Sequence, residues 1–432
     1  MTAPGLDLAL PQQLTVIAVC ALTAVVAHLA LAVFNDGVRP FLLDFVHGRA
    51  TRGATTAVSF GLSAGFVFGL GAPLALSTGV LNPWLLFLPT DVLGLLAPRK
   101  WLAALLGGGW GAVVVFGLDG ANAVAGGLPV DVLTALRQLS TPILFLFALF
   151  PVLAITRQFG RGWGGVAGAV ELALVIATMK LWPDMFAGAL AMAVGVLLLI
   201  ALAVAKDVRA GASPGAADGS PLASLFSTGA ARLRRHLPLF VLLGAALAVL
   251  AQSHVFGGGE ATGFLIARGD HTAAAQVDFY RAFGFLPLIA TTALASGAYG
   301  IAGFTFVYPL GYLMPNPYAA ALAGAAVFAA EVLALSAVGR FLGRLPSVRD
   351  CSEHLRAAIG ETLQLALLFG SLLAANAMGG GLGILLVGGL YLLNEAMGRP
   401  VIRMAAAPAA VLAGGALLNV LYWLHLFTPP TA

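Results

Sequence analysis

Long apolar runs separated by short polar segments follow one another along nearly the whole chain. A run of roughly 20 apolar residues is long enough to cross the hydrocarbon core of a bilayer as a helix. Fourteen segments qualify as complete, short or interrupted runs: 14–34, 57–79, 81–97, 101–117, 132–155, 163–181, 185–205, 237–255, 283–297, 298–313, 319–338, 357–377, 382–394 and 404–427. We therefore predict an all-α polytopic membrane protein with about 10–14 transmembrane or re-entrant helices, in two repeats that could be inverted.

The composition supports the same class. Hydrophobic residues make up 60% and charged residues 9% of the 432 positions, whereas soluble domains carry about 25% charged residues. Such a chain cannot cover an aqueous surface, so the lipid bilayer is its expected surrounding. The net charge of +4 is spread over loops without an arginine-rich block, so no nucleic-acid partner is expected.

Basic residues give the predicted orientation. If the loop at 35–54 is cytoplasmic and each segment crosses once, most of the 22 Lys and Arg residues fall on the cytoplasmic side, as the positive-inside rule requires. Both termini then lie on the periplasmic or extracellular side.

The chain divides near its middle. Residues 207–231 are rich in Gly, Ala, Ser and Pro, a composition typical of a flexible linker. We predict a cytoplasmic linker between an N-terminal membrane half at 1–206 and a C-terminal membrane half at 232–432. Two halves of similar length are typical of transporters built from structural repeats.

Each half contains one segment that we expect to be a broken helix, at 61–94 and at 284–324. Both have a run of small residues, then a proline and an Asn-Pro pair, Asn82-Pro83 in the first and Asn316-Pro317 in the second. Proline removes a backbone donor, and glycine permits non-helical dihedral angles. Paired interrupted helices point to a substrate site near the bilayer midplane; the alternative is ordinary kinking and close packing through small residues.

Carboxylates within apolar runs are the strongest candidates for chemistry, because an ionised group in lipid is costly and usually functional. Asp91 and Glu331 are the predicted ion-coupling residues. Asp91 or Thr90 could instead cap a short helix, and Glu331 could belong to a structural pair. Glu395 and Arg399 are spaced to form an ion pair on a helix, although the guanidinium could also hold an anion. The predicted substrate-binding residues are Asn82, Thr90, Asp91, Thr291, Thr292, Ser296, Asn316, Asn394 and Arg399.

Other chemistry has little support in the sequence. Histidine and cysteine do not occur at metal-ligand spacings, so we expect no metal and no cofactor, with H⁺ or Na⁺ as the candidate coupling ion. Clustered nucleophiles or paired carboxylates at a recognisable spacing are also missing, so we predict no catalytic residues and no enzyme.

Several motifs resemble those of the YhfT family of bacterial inner-membrane proteins. They are FNDGVRP (34–40), LFLPTDVLG (86–94), FALFP (147–151), GFLPLIATTALA (284–295), AGFTFVY (302–308), PSVR (346–349), the Asn394-Glu395 and 398–401 pair, and 419–424. They run from end to end of the chain. The resemblance implies a multi-pass protein of the bacterial inner membrane with a transporter-like function, and it implies no particular substrate.

The sequence thus predicts a secondary transporter or permease for a small polar metabolite, with anions among the candidates, that works by elevator-like or rocking alternating access. The alternatives are the membrane subunit of a phosphotransferase system, which needs a separate phosphoryl donor, and a polytopic membrane enzyme. A homodimer is one expected assembly.

Overall fold

The structure is a computed structural model, and it describes residues 8–35, 38, 42, 45, 48, 50–181, 187–211, 221–279, 281–282, 293, 298–300, 306–401 and 403–430. In the first half its elements are α1 (Leu10–His28), β1 (Ala32–Val33), α2 (Arg52–Phe66), a π-helical turn (Val67–Gly71), α3 (Ala72–Thr78), α4 (Pro83–Leu96), α5 (Lys100–Gly126), α6 (Val132–Leu136), a 3₁₀ turn (Arg137–Leu139), α7 (Ser140–Phe147), α8 (Phe150–Phe159), α9 (Arg161–Leu181) and α10 (Ala187–Arg209). The second half contains α11 (Pro221–Arg235), α12 (Leu237–Gln252), α13 (Glu260–Ala267), β2 (Tyr299–Gly300), α14 (Val307–Leu313), α15 (Pro317–Arg344), α16 (Pro346–Ala396) and α17 (Arg403–Trp423).

The all-α membrane class is confirmed. Within the described residues, seven helices are long and apolar enough to cross a membrane: Leu10–His28, Lys100–Leu118, Arg161–Leu181, Leu190–Arg209, Pro317–Leu335, Gly360–Ala396 and Ala405–Trp423. An eighth span forms if the pair Thr228–Arg235 and Leu237–Gln252, bent by 68°, is counted as one. The predicted count was larger because it included short and interrupted helices such as α4, and because it counted 357–377 and 382–394 separately, whereas Gly360–Ala396 is a single member of the seven.

Helix α16 is a hairpin of two helices. Gly379 and Gly380 have non-helical dihedral angles, and Gly380 has a φ of 54°, which favours glycine. A Cβ atom on Gly383 would collide with the carbonyl oxygen of Ala375, although eight residues of straight helix would separate them by about 12 Å. The chain therefore reverses at the two glycines, in agreement with the separate spans predicted at 357–377 and 382–394.

The helices form two groups that do not follow the two halves. In the first group, α1 packs against α4 and α5, α12 packs against α14 and α15, and α1 contacts α12. In the second group, α16 packs against α7, α8, α10 and α17, while α9 packs against α8 and α10. Each half of the chain thus contributes its first helices to one group and its later helices to the other.

The predicted linker is only partly described. Residues 207–209 end α10 and residues 221–231 lie in α11, so these parts are helical, whereas 212–220 lie outside the described residues. Both oxygens of Asp207 accept from the backbone N–H of Ser347, at 3.1 and 3.0 Å. A carboxylate at the N-terminus of α16 satisfies a backbone donor and the helix dipole, which fixes this end of α10.

Candidate functional site

Two short extended segments interrupt the first helix group, and each pairs with a segment from the other half of the chain. β1 lies parallel to β2, with Ala32 opposite Tyr299, and Tyr299 donates its N–H to the carbonyl oxygen of Leu31 at 2.7 Å. An isolated parallel bridge joins Leu81 to Phe256. Pairing gives the extended backbone the hydrogen bonds that a lipid environment cannot supply.

The two pairings are reciprocal. β1 follows α1 and pairs with the segment that precedes α14 in the second half. Phe256 follows α12 and pairs with the segment that precedes α4 in the first half. Leu81 donates its N–H to the carbonyl oxygen of Val255 at 2.8 Å, as Tyr299 does to Leu31. In each half, a helix is thus followed by one paired segment, and a second paired segment lies before a short helix and a long helix, α4 and α5 in the first half and α14 and α15 in the second.

Asp91 holds the end of β1 in place. Its side chain is fully buried, and Oδ2 accepts from the backbone N–H groups of Phe34 at 2.8 Å and Asn35 at 3.0 Å. The suggestion that Thr90 or Asp91 caps a helix is wrong, because both lie inside α4, whose cap is Asn82. A carboxylate that accepts two backbone N–H groups is well stabilised as an anion.

Thr90 and Asn35 extend the hydrogen-bond network around Asp91. The Thr90 hydroxyl donates to the carbonyl oxygen of Phe87 at 2.9 Å and accepts from the Thr23 hydroxyl at 3.0 Å. Asn35 donates its side-chain N–H to the Ser63 hydroxyl at 3.2 Å. Thr90 therefore ties α4 to α1, and Asn35 ties the end of β1 to α2.

Glu331 binds the other strand of the same pair. From α15, its Oε2 accepts from the Tyr299 hydroxyl at 2.5 Å, and its Oε1 accepts from the backbone N–H of Phe306 at 3.1 Å. Tyr299 belongs to β2, whereas Asp91 binds the residues that follow β1. The two predicted coupling carboxylates, 240 positions apart in sequence, therefore bind at one parallel strand pair, Asp91 just after β1 and Glu331 on Tyr299 of β2.

Asn82 and Asn316 have different surroundings, although both precede a proline that begins a helix. Asn82 is buried; its Oδ1 accepts from Leu85 N at 3.1 Å, and its Nδ2 donates to the carbonyl oxygen of Gly71 at 2.8 Å. Asn316 is exposed and caps α15 by accepting from Ala319 N at 2.9 Å. Asn82 thus joins the π-helical turn to α4, while Asn316 lies apart from it on the surface.

We expect Asn82→Ala to lower the free energy of unfolding by about 2 kcal/mol, since it removes both a helix cap and a buried hydrogen bond. The matched change Asn316→Ala removes only an exposed cap and should cost about 0.5–1 kcal/mol. Thermal unfolding of the two purified variants in one detergent compares them. Equal losses would show that the bond from Asn82 to Gly71 contributes nothing.

Asn394 and Arg399 stabilise a surface turn after α16. Asn394 exchanges two hydrogen bonds with the backbone of Val401, at 2.8 and 2.9 Å. The predicted ion pair between Arg399 and Glu395 is present at 2.9 Å, and Arg403 also binds Glu395. The Arg399 side chain is 51% exposed. These contacts favour the structural interpretation of this motif over substrate binding. The remaining predicted contacts, Thr291, Thr292 and Ser296, lie outside the described residues.

A buried polar cluster was missed by the sequence reasoning, and its carboxylate, Asp278, lies between the segments predicted at 237–255 and 283–297. Asp278 is fully buried and accepts from the hydroxyls of Thr262 at 2.6 Å and Tyr312 at 2.8 Å. The Tyr312 hydroxyl in turn accepts from the N–H of Gly258 at 2.7 Å, just after the bridge at Phe256. Arg281, only 5% exposed, lies against Gly259. The i, i+3 spacing of Asp278 and Arg281 was the available signal.

Two histidines lie beside this cluster. The rings of His254 and His271 stack with centroids 3.6 Å apart, and His254 Nε2 lies 2.9 Å from the carbonyl oxygen of Tyr312. Burial lowers the pKa of His271, and the neighbouring His254 lowers this pKa further, against a smaller opposite effect of Asp270. His271 therefore favours its neutral form here.

We call the two pairings of extended backbone, β1 with β2 and Leu81 with Phe256, the two crossings. Aromatic rings connect them. Phe34, next to Asp91, contacts Phe87 with centroids 6.0 Å apart, and Phe87 contacts Phe256 at 5.7 Å. Phe256 then contacts Tyr308 at 5.3 Å. A series of contacting aromatic rings thus runs from the residue beside Asp91 to Phe256 and Tyr308.

Comparison with known proteins finds a family and a relative that match this chain along nearly its entire length. The model of the YhfT family, described as "Protein of unknown function", matches residues 12–427. The chain is 41% identical over 430 residues to "Uncharacterized protein YhfT" of Escherichia coli (strain K12), which covers 97% of this chain and 99% of that protein. No solved structure matches.

Proposed function

This chain belongs to the YhfT family, and we propose that it is a secondary transporter of the bacterial inner membrane for a small polar metabolite, an anion among the candidates. The observation that carries the proposal is that Asp91 and Glu331 bind at one extended pair, Asp91 on the backbone just after β1 and Glu331 on Tyr299 of β2. In a multi-pass membrane protein, broken backbone and carboxylates are tolerated where they are buried in protein or line a hydrated path.

The reciprocal pairing supports two inverted repeats. From α1 to α5 and from α12 to α15 the paired extended segments occur in the same order, and each pairs with a segment of the other half. A pseudo-two-fold axis in the membrane plane relates the halves of many transporters and places their substrate site between broken helices. In this proposal the β1–β2 crossing, beside Asp91, lies toward the cytoplasm. The crossing of Leu81 with Phe256, beside the Asp278 cluster, lies toward the opposite side of the membrane, where both termini are also expected.

The two helix groups are the proposed moving bodies. The first group carries both crossings. The π-helical turn, α3 and α13, which lie in the chain between helices of the first group, pack against α17, α6 and α7, respectively, on the side of the second group. An elevator-like or rocking movement of one group along the other would expose the site to each side in turn. Asp91 and Glu331 would bind the coupling ion, H⁺ or Na⁺, while Asn82 and Thr90 would line the path. No cofactor and no chemical conversion enter this proposal.

A ligand screen followed by reconstitution tests the function. A ligand that binds only the folded protein raises its unfolding temperature, so we expect at least one polar metabolite in a broad panel to do so in detergent. The same metabolite should then enter liposomes that contain only the purified protein. Entry only with a soluble phosphoryl donor, or recovery of an altered compound, would contradict the proposal in favour of a phosphotransferase subunit or an enzyme.

A further inference from the structure

Glu171 is a buried carboxyl group in the second helix group, which carries neither crossing, and it differs from Asp91 and Glu331 in its lack of hydrogen bonds to described residues. It lies in the middle of α9, and its residue is 1% exposed. Neither of its oxygens has a hydrogen-bond partner among the described residues. Gly195 of α10 and Pro151 of α8 close over it, since a Cβ on Gly195 would collide with Glu171 Oε1 and lie 2.6 Å from Pro151 Cβ.

No charge compensates this carboxyl in the part of the chain that the structure describes. Two helices, α8 and α10, pack against α9. The charged groups on these three helices all lie six or more residues along the chain from Pro151, Glu171 or Gly195. Those on α9 and α10 lie about 14 Å or more away along the helix axis. They are Arg157, Arg161, Lys180, Lys206, Asp207 and Arg209. Arg157 is paired with Glu361, and Asp207 binds Ser347. An ionised carboxylate at this buried position would have neither a hydrogen-bond donor nor a counter-ion among the described residues, so the packing favours the neutral acid.

The surroundings also select the ligand. A hard metal cation needs several oxygen ligands, but among the described residues no hydrogen-bonding group reaches either oxygen of Glu171, and no group of three or more His, Cys, Asp or Glu residues could hold a metal ion. A proton needs only the carboxylate itself. We propose that Glu171 is a proton-binding site: it holds a proton while α8, α9 and α10 are packed together, and it releases the proton to water when α9 separates from α10. The proposal rests on the proposed transport function and deepens it, because α9 and α10 would separate within the second helix group as that group moves along the first.

Two measurements on the protein in liposomes test the site without any substrate. Infrared difference spectra at neutral pH, wild type minus Glu171→Gln, should show the carbonyl stretch of a protonated carboxyl group. The matched change at the exposed Glu361, Glu361→Gln, should show the bands of an ionised carboxylate. Carboxylate bands for Glu171 would overturn the proposal.

The second measurement asks whether the site opens. Dicyclohexylcarbodiimide, an apolar reagent that attacks neutral carboxyl groups, should modify Glu171, as peptide mass spectrometry of the wild type can show. The rate of this modification should fall about tenfold for each unit of rising pH once the opened carboxyl group ionises. A protonated Glu171 that is never modified would be a sealed structural acid, and the proposal would fail. Transport itself could still be intact, because neither measurement depends on it.

Discussion

Asp91→Asn and Glu331→Gln should each reduce uptake of the transported metabolite into liposomes by about 10- to 100-fold, the value of one charge-assisted hydrogen bond of roughly 1.5–3 kcal/mol. Each change removes the negative charge but keeps an oxygen that can accept from the same backbone donors, Phe34 and Asn35 for one and Phe306 for the other. The extended pair should therefore persist. Initial uptake rates of the reconstituted variants measure the effect.

Glu361→Gln is the matched control, because it neutralises a carboxylate that pairs with Arg157 on the exposed surface. Its uptake should equal that of the wild type. Size-exclusion profiles and unfolding temperatures of all three variants separate loss of transport from loss of folding. Unchanged uptake by both Asp91→Asn and Glu331→Gln would remove these carboxylates from the mechanism.

Gly107→Ala should strongly destabilise the protein, whereas Gly109→Ala, two residues away on α5, should not. A Cβ on Gly107 would collide with the carbonyl oxygen of Cys20 in α1, but nothing lies within 4 Å of a Cβ on Gly109. Since a backbone oxygen cannot move aside as a flexible side chain can, the overpacked contact should cost about 1–3 kcal/mol or more. Thermal unfolding in detergent provides the comparison, and equal unfolding temperatures would show that α1 does not lie this close to α5.

The class and many helices follow from the sequence because they depend on composition and on run length. Apolar runs of spanning length became α1, α5, α9 and α15, and the separate runs at 357–377 and 382–394 became the two arms of the α16 hairpin. Asp91 and Glu331 were identifiable for a related reason: a carboxylate among apolar residues needs a compensating partner wherever it lies. What the sequence could not give was the partner.

The pairing of β1 with β2 has no sequence signature. Two-residue strands are too short for an alternating pattern, and Ala32 and Tyr299 come from opposite halves of the chain. The Asn-Pro comparison misled for a related reason. An asparagine before a proline marks the start of a helix in each half, but Asn82 begins α4 and Asn316 begins α15, which occupy different places in the fold. A local motif reports local geometry only.

The run at 132–155 shows a further limit. Its hydrophobicity predicted one span, but the structure divides it into α6, a 3₁₀ turn, α7 and the start of α8. Segments of this run contact α16 and α17. Hydrophobicity reports burial in an apolar surrounding and does not distinguish lipid from the packed interior of a helix group.

A structure of the protein in a lipid nanodisc, determined by electron cryomicroscopy with the stabilising metabolite bound, tests the central claim most directly. The account predicts ligand density at the β1–β2 crossing, within hydrogen-bond distance of Asp91 or Glu331 and of the extended backbone beside them. Density at a remote surface, with both carboxylates sealed in dry packing on either side of an unchanged strand pair, would contradict it.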